Sequence, residues 1–248
     1  MIQLKSEAEI ARIKKSSRIV AMVLEDLKNF AKSGCTTKDL DTRAAQLIEK
    51  NKAESAFLGY RGYPAHICTS INDAVVHGIP GARKLKEGDI IGIDAGVRLD
   101  GYCGDGAITV CIGKVSLAVE KLVRVAEEAL YEAIKMAVVG NRIGDISNAI
   151  QTLAENNGFS VVREYVGHGI GTAVHEEPGI PNYGERGTGL RLKAGMVLAV
   201  EAMVNLGGWK VKLLEDNWTA VTQDGKPSAH FEHTIAVTDK GPEILTVI

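Results

Sequence analysis

Two segments decide the fold: EGDIIGIDAGV at residues 87–97 and AGMVLAVEAMV at residues 194–204. Each is a short apolar run entered through a glycine, and each carries one acid at the same place, Asp94 in the first and Glu201 in the second. Apolar runs of this length, bounded by turn residues, form buried strands. Each is followed by a second apolar run opened by another acid, Asp105 in DGAITV (105–110) and Glu232 in EHTIAV (232–237). Two strand pairs with acids at matching positions point to an internal repeat.

Outward from the strands, the repeat continues into helices. Ser6 with Glu9 forms a capping box, and the apolar residues behind it keep a helical period toward Gly34. A second helix fits Thr37 to Asn51, with Leu40, Ala44, Leu47 and Ile48 on one face. The order recurs near Ser116 to Val139, stopped by Gly140, and from about Asp145 to Asn157, stopped by Gly158. Leu24, Gly34, Asp39, Leu40, Leu47, Glu49 and Asn51 correspond at one offset to Leu130, Gly140, Asp145, Ile146, Leu153, Glu155 and Asn157. In the first half, strands are expected from Asp89 to Val97 and from Tyr102 to Ile112, around the turn pair Asp100-Gly101. The expected architecture is α+β: one domain, residues 1–248, of two pseudo-symmetric helix-helix-strand halves (about 1–112 and 113–248). Helices cover one face of a mostly antiparallel sheet, and the natural site lies on the sheet between the halves.

An unpaired carboxylate in such a strand costs several kcal/mol, on the order of the penalties for buried ions, so the acids require compensation. If Asp100-Gly101 is a two-residue turn, Asp105 lies opposite Gly96 and diagonal to Asp94 on one face, and no Lys or Arg stands beside either. The segment GHGIGTAVHEEP (167–178) adds His168 and His175, flanked by glycines that let the backbone bend around a ligand. Four carboxylates with one imidazole form a hard, oxygen-rich set suited to a pair of Mn, Fe, Co or Zn ions. The glycines of HGIG lack the lysine of a phosphate-binding loop and do not match the dinucleotide pattern.

The bulk properties exclude other classes. A net charge of −2 without long basic runs gives no footprint for nucleic acid or anionic membrane. No run approaches the roughly 18 apolar residues of a membrane span, and the N-terminus lacks a secretory signal. Four scattered cysteines form no C-x-x-C pair, as expected of a cytoplasmic protein.

At these residues the sequence resembles the methionine aminopeptidases, of the "pita-bread" metallopeptidase family. The resemblance covers nearly the whole chain and rests on CTSINDAVVHGIP (68–80), IDAGVRLDGYCGD (93–105), GHGIGTAVHEEP (167–178), VLAVEAMV (197–204) and FEHTIAV (231–237). It implies a pita-bread fold and removal of the initiator methionine from nascent proteins, with a preference for small second residues. It implies two divalent ions: Asp94 chelates one, Asp105 and Glu232 bridge both, and His168 and Glu201 complete the second. His77 and His175 are implied to contact the scissile amide and its carbonyl oxygen, with Glu201 as proton shuttle. The methionine pocket is implied at Tyr60, Tyr63, Cys68 and Trp218, and a monovalent cation near Asn72 and Ser228.

Two positions depart from the pattern: Val174 stands where a bulkier aromatic is common, and Gly96 where a hydroxyl residue is common. The first bears on the pocket's tightness and the second on a hydrogen bond behind the ligands. The chain begins at the first helix of the repeat, and the short segment between His175 and Glu201 leaves no room for a helical insertion, so the compact type-I form is expected. A monomer, at most in transient contact with the ribosome, completes the expectation. A proline-specific aminopeptidase or dipeptidase shares the ligands but usually carries a large N-terminal domain. A non-enzymatic relative would have lost ligands, whereas all five positions are intact.

Overall fold

The helices start where side chains satisfy their free N–H groups. In the computed structural model, which describes residues 2–248, Ser6 accepts from the Glu9 N–H and the Glu9 carboxylate accepts from the Ser6 N–H, opening α1 (Glu7–Phe30). Thr36 and Asp39 repeat this box at α2 (Thr37–Lys50), and Ser116 caps α3 (Leu117–Lys135). At α4 (Ile143–Asn156) Asp145 accepts the Arg142 N–H, so the helix begins two residues before the expected Asp145.

Both long helices stop short of their predicted glycines, and the reason is shared. Gly34 and Gly140 have φ of 91° and 97°, and each donates its N–H to a distant loop carbonyl, Leu85 for the first and Leu192 for the second. The next residues answer: Leu85 N–H donates to Cys35, and Leu192 N–H to Asn141. These glycines latch each helix hairpin to the loop leading into its strand. The repeat extends to individual hydrogen bonds.

Seven strands of the nine-stranded main sheet follow the order Glu176–Pro181, Val166–Gly169, Val197–Asn205, Ser228–Thr238, Gly106–Cys111, Ile90–Asp94 and Cys68–Ile71, all neighbours antiparallel. Four of these strands come from the second half and three from the first, joined where Ser228–Thr238 meets Gly106–Cys111. The predicted hairpin of the first half is present in one continuous register but breaks in the middle. Val97–Leu99 and Tyr102–Gly104 leave the main sheet and pair with each other, the former also with Glu54–Ser55.

One face of the sheet belongs to the helices. Leu198, Val200, Ala202, Val204, Phe231 and Ile235 bury themselves with the apolar faces of α3 and α4, while Ile71, Ile91 and Ile93 do so with those of α1 and α2. Alternation then sends Asp94, Glu201 and Glu232 to the other face. No helix is long and apolar enough to cross a membrane among the described residues.

The seam between the halves is closed partly by side chains. Thr234 Oγ1 accepts the Asp105 N–H at 2.9 Å and donates to the Asp105 carbonyl at 2.7 Å. Thr109 Oγ1 does the same for His230, at 2.9 and 2.8 Å. These threonine clasps replace ladder bonds at the two ends of the seam, and each fixes the backbone of a residue that faces the site.

Close packing yields a first expectation. A Cβ at Gly104 would lie 2.5 Å from the Ser17 backbone nitrogen of α1, so Gly104→Ala should cost about 1–3 kcal/mol. Thermal unfolding should register this as a fall of roughly 2–12 °C, and an unchanged midpoint would contradict the contact. A second concerns acid. Burial holds His233, whose Nδ1 lies 2.7 Å from Thr246 Oγ1, at a pKa of about 4. Its folded pKa is depressed, so the unfolded chain takes up the proton first and stability is lost as pH falls from about 6.5 to about 4. Denaturant titrations of His233→Gln should lose less over that window, by up to about 1.4 kcal/mol per pH unit; equal slopes would refute it.

Candidate metal centre

Residues directly opposite in an antiparallel pair share a face, and the register assembles the site from that rule. Cys68 faces Asp94, Asp94 faces Ala107, Ala107 faces Glu232, and Glu232 faces Glu201, in one row across five strands. Asp105 lies two residues before Ala107, and His168 pairs with Ala199, two residues before Glu201, so both point the same way. The halves are not quite equivalent. Asp94 and Asp105 are diagonal neighbours, as predicted, whereas Glu201 and Glu232 are directly opposed. A two-residue slip in register preserves the face.

The five predicted ligands therefore come together. Donor atoms of Asp105, His168 and Glu232 lie within 4.8 Å of one another. His168 Nε2 is 3.8 Å from Asp105 Oδ2 and 3.9 Å from Glu201 Oε1. Its Nδ1 lies 2.9 Å from the Gly169 carbonyl, which can only accept, so Nδ1 carries a proton and Nε2 is the ring nitrogen that faces the acids.

The electrostatics favour positive charge among the acids. Burial, with Asp94 and Glu201 nearby, holds the Asp105 carboxyl well above the usual range, and burial with Asp105, Glu201 and Asp94 does the same to Glu232. Burial pushes Asp94 up to about 7 against the pull of His230. Asp94 Oδ1 and Glu232 Oε1 are buried without any hydrogen-bond partner. Orphaned carboxylate oxygens beside an imidazole nitrogen fit a hard divalent ion.

Above this row opens a cleft of about 370 Å³. Its apolar wall includes Phe57, Tyr60, Tyr63, Cys68 and Trp218, and His77 and His175 face the same space. Tyr63 packs edge-on against Trp218 at 5.0 Å between ring centroids, while its hydroxyl reaches the Ile67 and Gly78 carbonyls. It lines the cleft and anchors a loop. Asp216 accepts the Trp218 and Thr219 N–H groups and so fixes the turn that presents Trp218. His77 has φ 61°, a strained value for a side chain of its size. The next residue must be glycine: a Cβ at Gly78 would lie 2.1 Å from the Thr69 carbonyl oxygen. His175 sits 4.4 Å from the His168 ring, and burial together with His168 brings it to a pKa of about 4. Burial also lowers His77. Both rings are neutral near pH 7.

Asn72 and Ser228 lie side by side, the Ser228 N–H donating to the Asn72 carbonyl. Asn72 Oδ1 accepts from Ile90 and Nδ2 donates to Asp89, so protein partners account for this side chain without an ion.

The two departures have separate accounts. Val174 is buried but lies outside the wall of the cleft, so its size does not set the pocket directly. The wall contains Phe57, which the sequence did not single out. A Cβ at Gly96 would come within 2.5–2.9 Å of the Phe57 ring, so the missing side chain at 96 is what admits the aromatic. His230 was missed as well. It stands two residues before Glu232 on the same face, with Nε2 3.2 Å from Glu201 Oε2; a period of two applied to SAHFEHT would have found it.

Residues 11–239 match the pattern of metallopeptidase family M24. The chain is 51% identical over 248 residues, all of both chains, to the methionine aminopeptidase of Clostridium perfringens. It superposes on the crystal structure of methionine aminopeptidase from Thermotoga maritima with a TM-score of 0.98 at 46% identity, covering 100% of both chains. A prolidase from Pyrococcus horikoshii gives a TM-score of 0.79 at 21% identity, over 98% of this chain and 63% of that one, a likeness of fold alone.

Restoring a hydroxyl side chain opposite Phe57 should be damaging. Gly96→Thr should lower stability by about 1–3 kcal/mol, the usual cost of overpacking, and Phe57→Ala on that background should recover much of the loss. A double-mutant cycle of unfolding free energies measures the coupling; strictly additive effects would show that the ring yields freely.

Proposed function

The chain belongs to metallopeptidase family M24, and from that premise we propose that it hydrolyses the peptide bond after an N-terminal methionine, clearing the initiator residue from new proteins and preferring small second residues. The observation that carries this reading is the row of buried acids at the foot of an apolar cleft. Full-length identity of 51% to a methionine aminopeptidase supports the substrate assignment.

Asp94, Asp105, His168, Glu201 and Glu232 are the residues that would hold two divalent ions, of Co, Mn, Fe or Zn. When bound, such ions supply Lewis acidity at the scissile carbonyl and activate the attacking water. The chain's own groups do the rest. Tyr60, Tyr63, Cys68 and Trp218 take the methionine side chain into the apolar wall. His175, neutral because it is buried, donates to the carbonyl oxygen as charge develops there. His77 holds the nitrogen of the leaving chain. Against burial, the surrounding imidazoles, His230 foremost, hold the Glu201 carboxyl below its usual range, so that Glu201 can carry the proton from water to that nitrogen.

The reading takes residues 1–248 as one catalytic domain, acting as a cytoplasmic monomer on nascent chains and at most transiently in contact with the ribosome. Free thiols at Cys35, Cys68, Cys103 and Cys111 accord with a reducing compartment.

The test is hydrolysis by metal-stripped protein titrated with Mn, Fe, Co and Zn. Met-Ala-Ser should be cleaved on metal addition, the corresponding Met-Lys peptide poorly, and a dipeptide ending in Pro not at all. His168→Ala should abolish turnover and reduce bound metal. Faster cleavage of the proline dipeptide than of Met-Ala-Ser would overturn the assignment.

A further inference from the structure

We infer that His230 is a positioning residue for Glu201: it engages one carboxylate oxygen so that the other faces the ligand cluster. The inference rests on the metallopeptidase reading and deepens it, by assigning a role to a residue outside the five-ligand set.

His230 is 4% exposed, and its ring faces the cleft from the strand that also carries Glu232. Nε2 lies 3.2 Å from Glu201 Oε2, and that buried atom has no well-aligned hydrogen-bond partner. On the other side, Glu201 Oε1 is 3.9 Å from His168 Nε2. The Glu201 carboxylate therefore stands between two imidazoles, each facing a different oxygen. A carboxylate with both oxygens free can rotate between one-oxygen and two-oxygen binding of an ion; with His230 Nε2 3.2 Å from Oε2, Oε1 is the oxygen presented to the His168 side.

The backbone supports this role. Thr109 clasps the N–H and carbonyl of His230 as Thr234 clasps those of Asp105. His230 thus occupies the place related to a ligand position by the two-fold of the seam, with its main chain equally constrained. The 3.2 Å approach of Nε2 to Glu201 Oε2 favours action through Glu201 over direct ligation.

Calorimetric titration of metal-stripped protein with Mn(II) alone, together with kcat and KM on Met-Ala-Ser, tests the role. His230→Ala should weaken Mn(II) binding or lower kcat by about 10–100-fold, the range for groups that orient metal ligands, with KM little changed. His230→Gln, which keeps a side-chain donor, should recover most of the loss and also serves if the alanine variant folds poorly. Combining His230→Ala with Glu201→Gln should add little to the Glu201→Gln defect. Unchanged affinity and kcat in His230→Ala, a glutamine variant as impaired as alanine, or additive losses would overturn the inference. So would a second imidazole nitrogen in the electron-spin-echo spectrum of the Mn(II) form, which would make His230 a ligand. Wild-type protein that binds no Mn(II), Fe(II), Co(II) or Zn(II) would instead defeat the metallopeptidase reading itself.

Discussion

Burying like charges on one row of a β-sheet is the constraint on which the rest of this structure depends. Asp94, Glu232 and Glu201 project from neighbouring strands with one alanine between the first two, and Asp105 joins them on the diagonal. Their mutual repulsion and desolvation oppose folding unless a proton or a cation offsets them. The opposite face offsets this through two helix-covered apolar cores, one per half. The sheet is stable on one side and electrostatically strained on the other.

Precision comes from what surrounds the acids. The backbones of Asp105 and His230 are each gripped by a threonine hydroxyl from the facing strand, and the Nδ1–H of His168 points to the carbonyl of the following glycine. The histidine strand approaches its neighbours closely because residues 167 and 169 are glycine: a Cβ at either would meet backbone oxygens at 2.6 and 2.2 Å. The glycines of GHGIG thus serve strand packing as much as freedom to bend.

The fold was legible because its two halves repeat, and the row of acids because an acid in an apolar strand has no innocent explanation. Both signals are local: Asp94 and Glu201 are marked by the residues beside them. What the sequence concealed depends on pairing across strands. Phe57 is unremarkable until Gly96, some forty residues away in the chain, leaves it room. The slip between the halves is invisible because moving a strand by two residues changes no side chain's face. Thr109 and Thr234 look like ordinary strand formers, yet their hydroxyls stand in for ladder bonds. Gly34 and Gly140 sit near helix ends, and periodicity alone cannot distinguish a stop from a latch formed four or five residues later.

The latches have a consequence for how the molecule is held together. Gly34 with Leu85 closes the first half, and Gly140 with Leu192 closes the second, each within its own stretch of chain. Neither latch crosses the seam, whereas the donor cluster does, taking Asp105 from one half and His168 and Glu232 from the other. An ion held by that cluster is a staple between two self-closed units, and it binds where both are docked. Its binding energy adds to the docking equilibrium by mass action. Chelation would accordingly loosen the junction first, with amide exchange rising along Ser228–Thr238 and Gly106–Cys111 ahead of the helix hairpins.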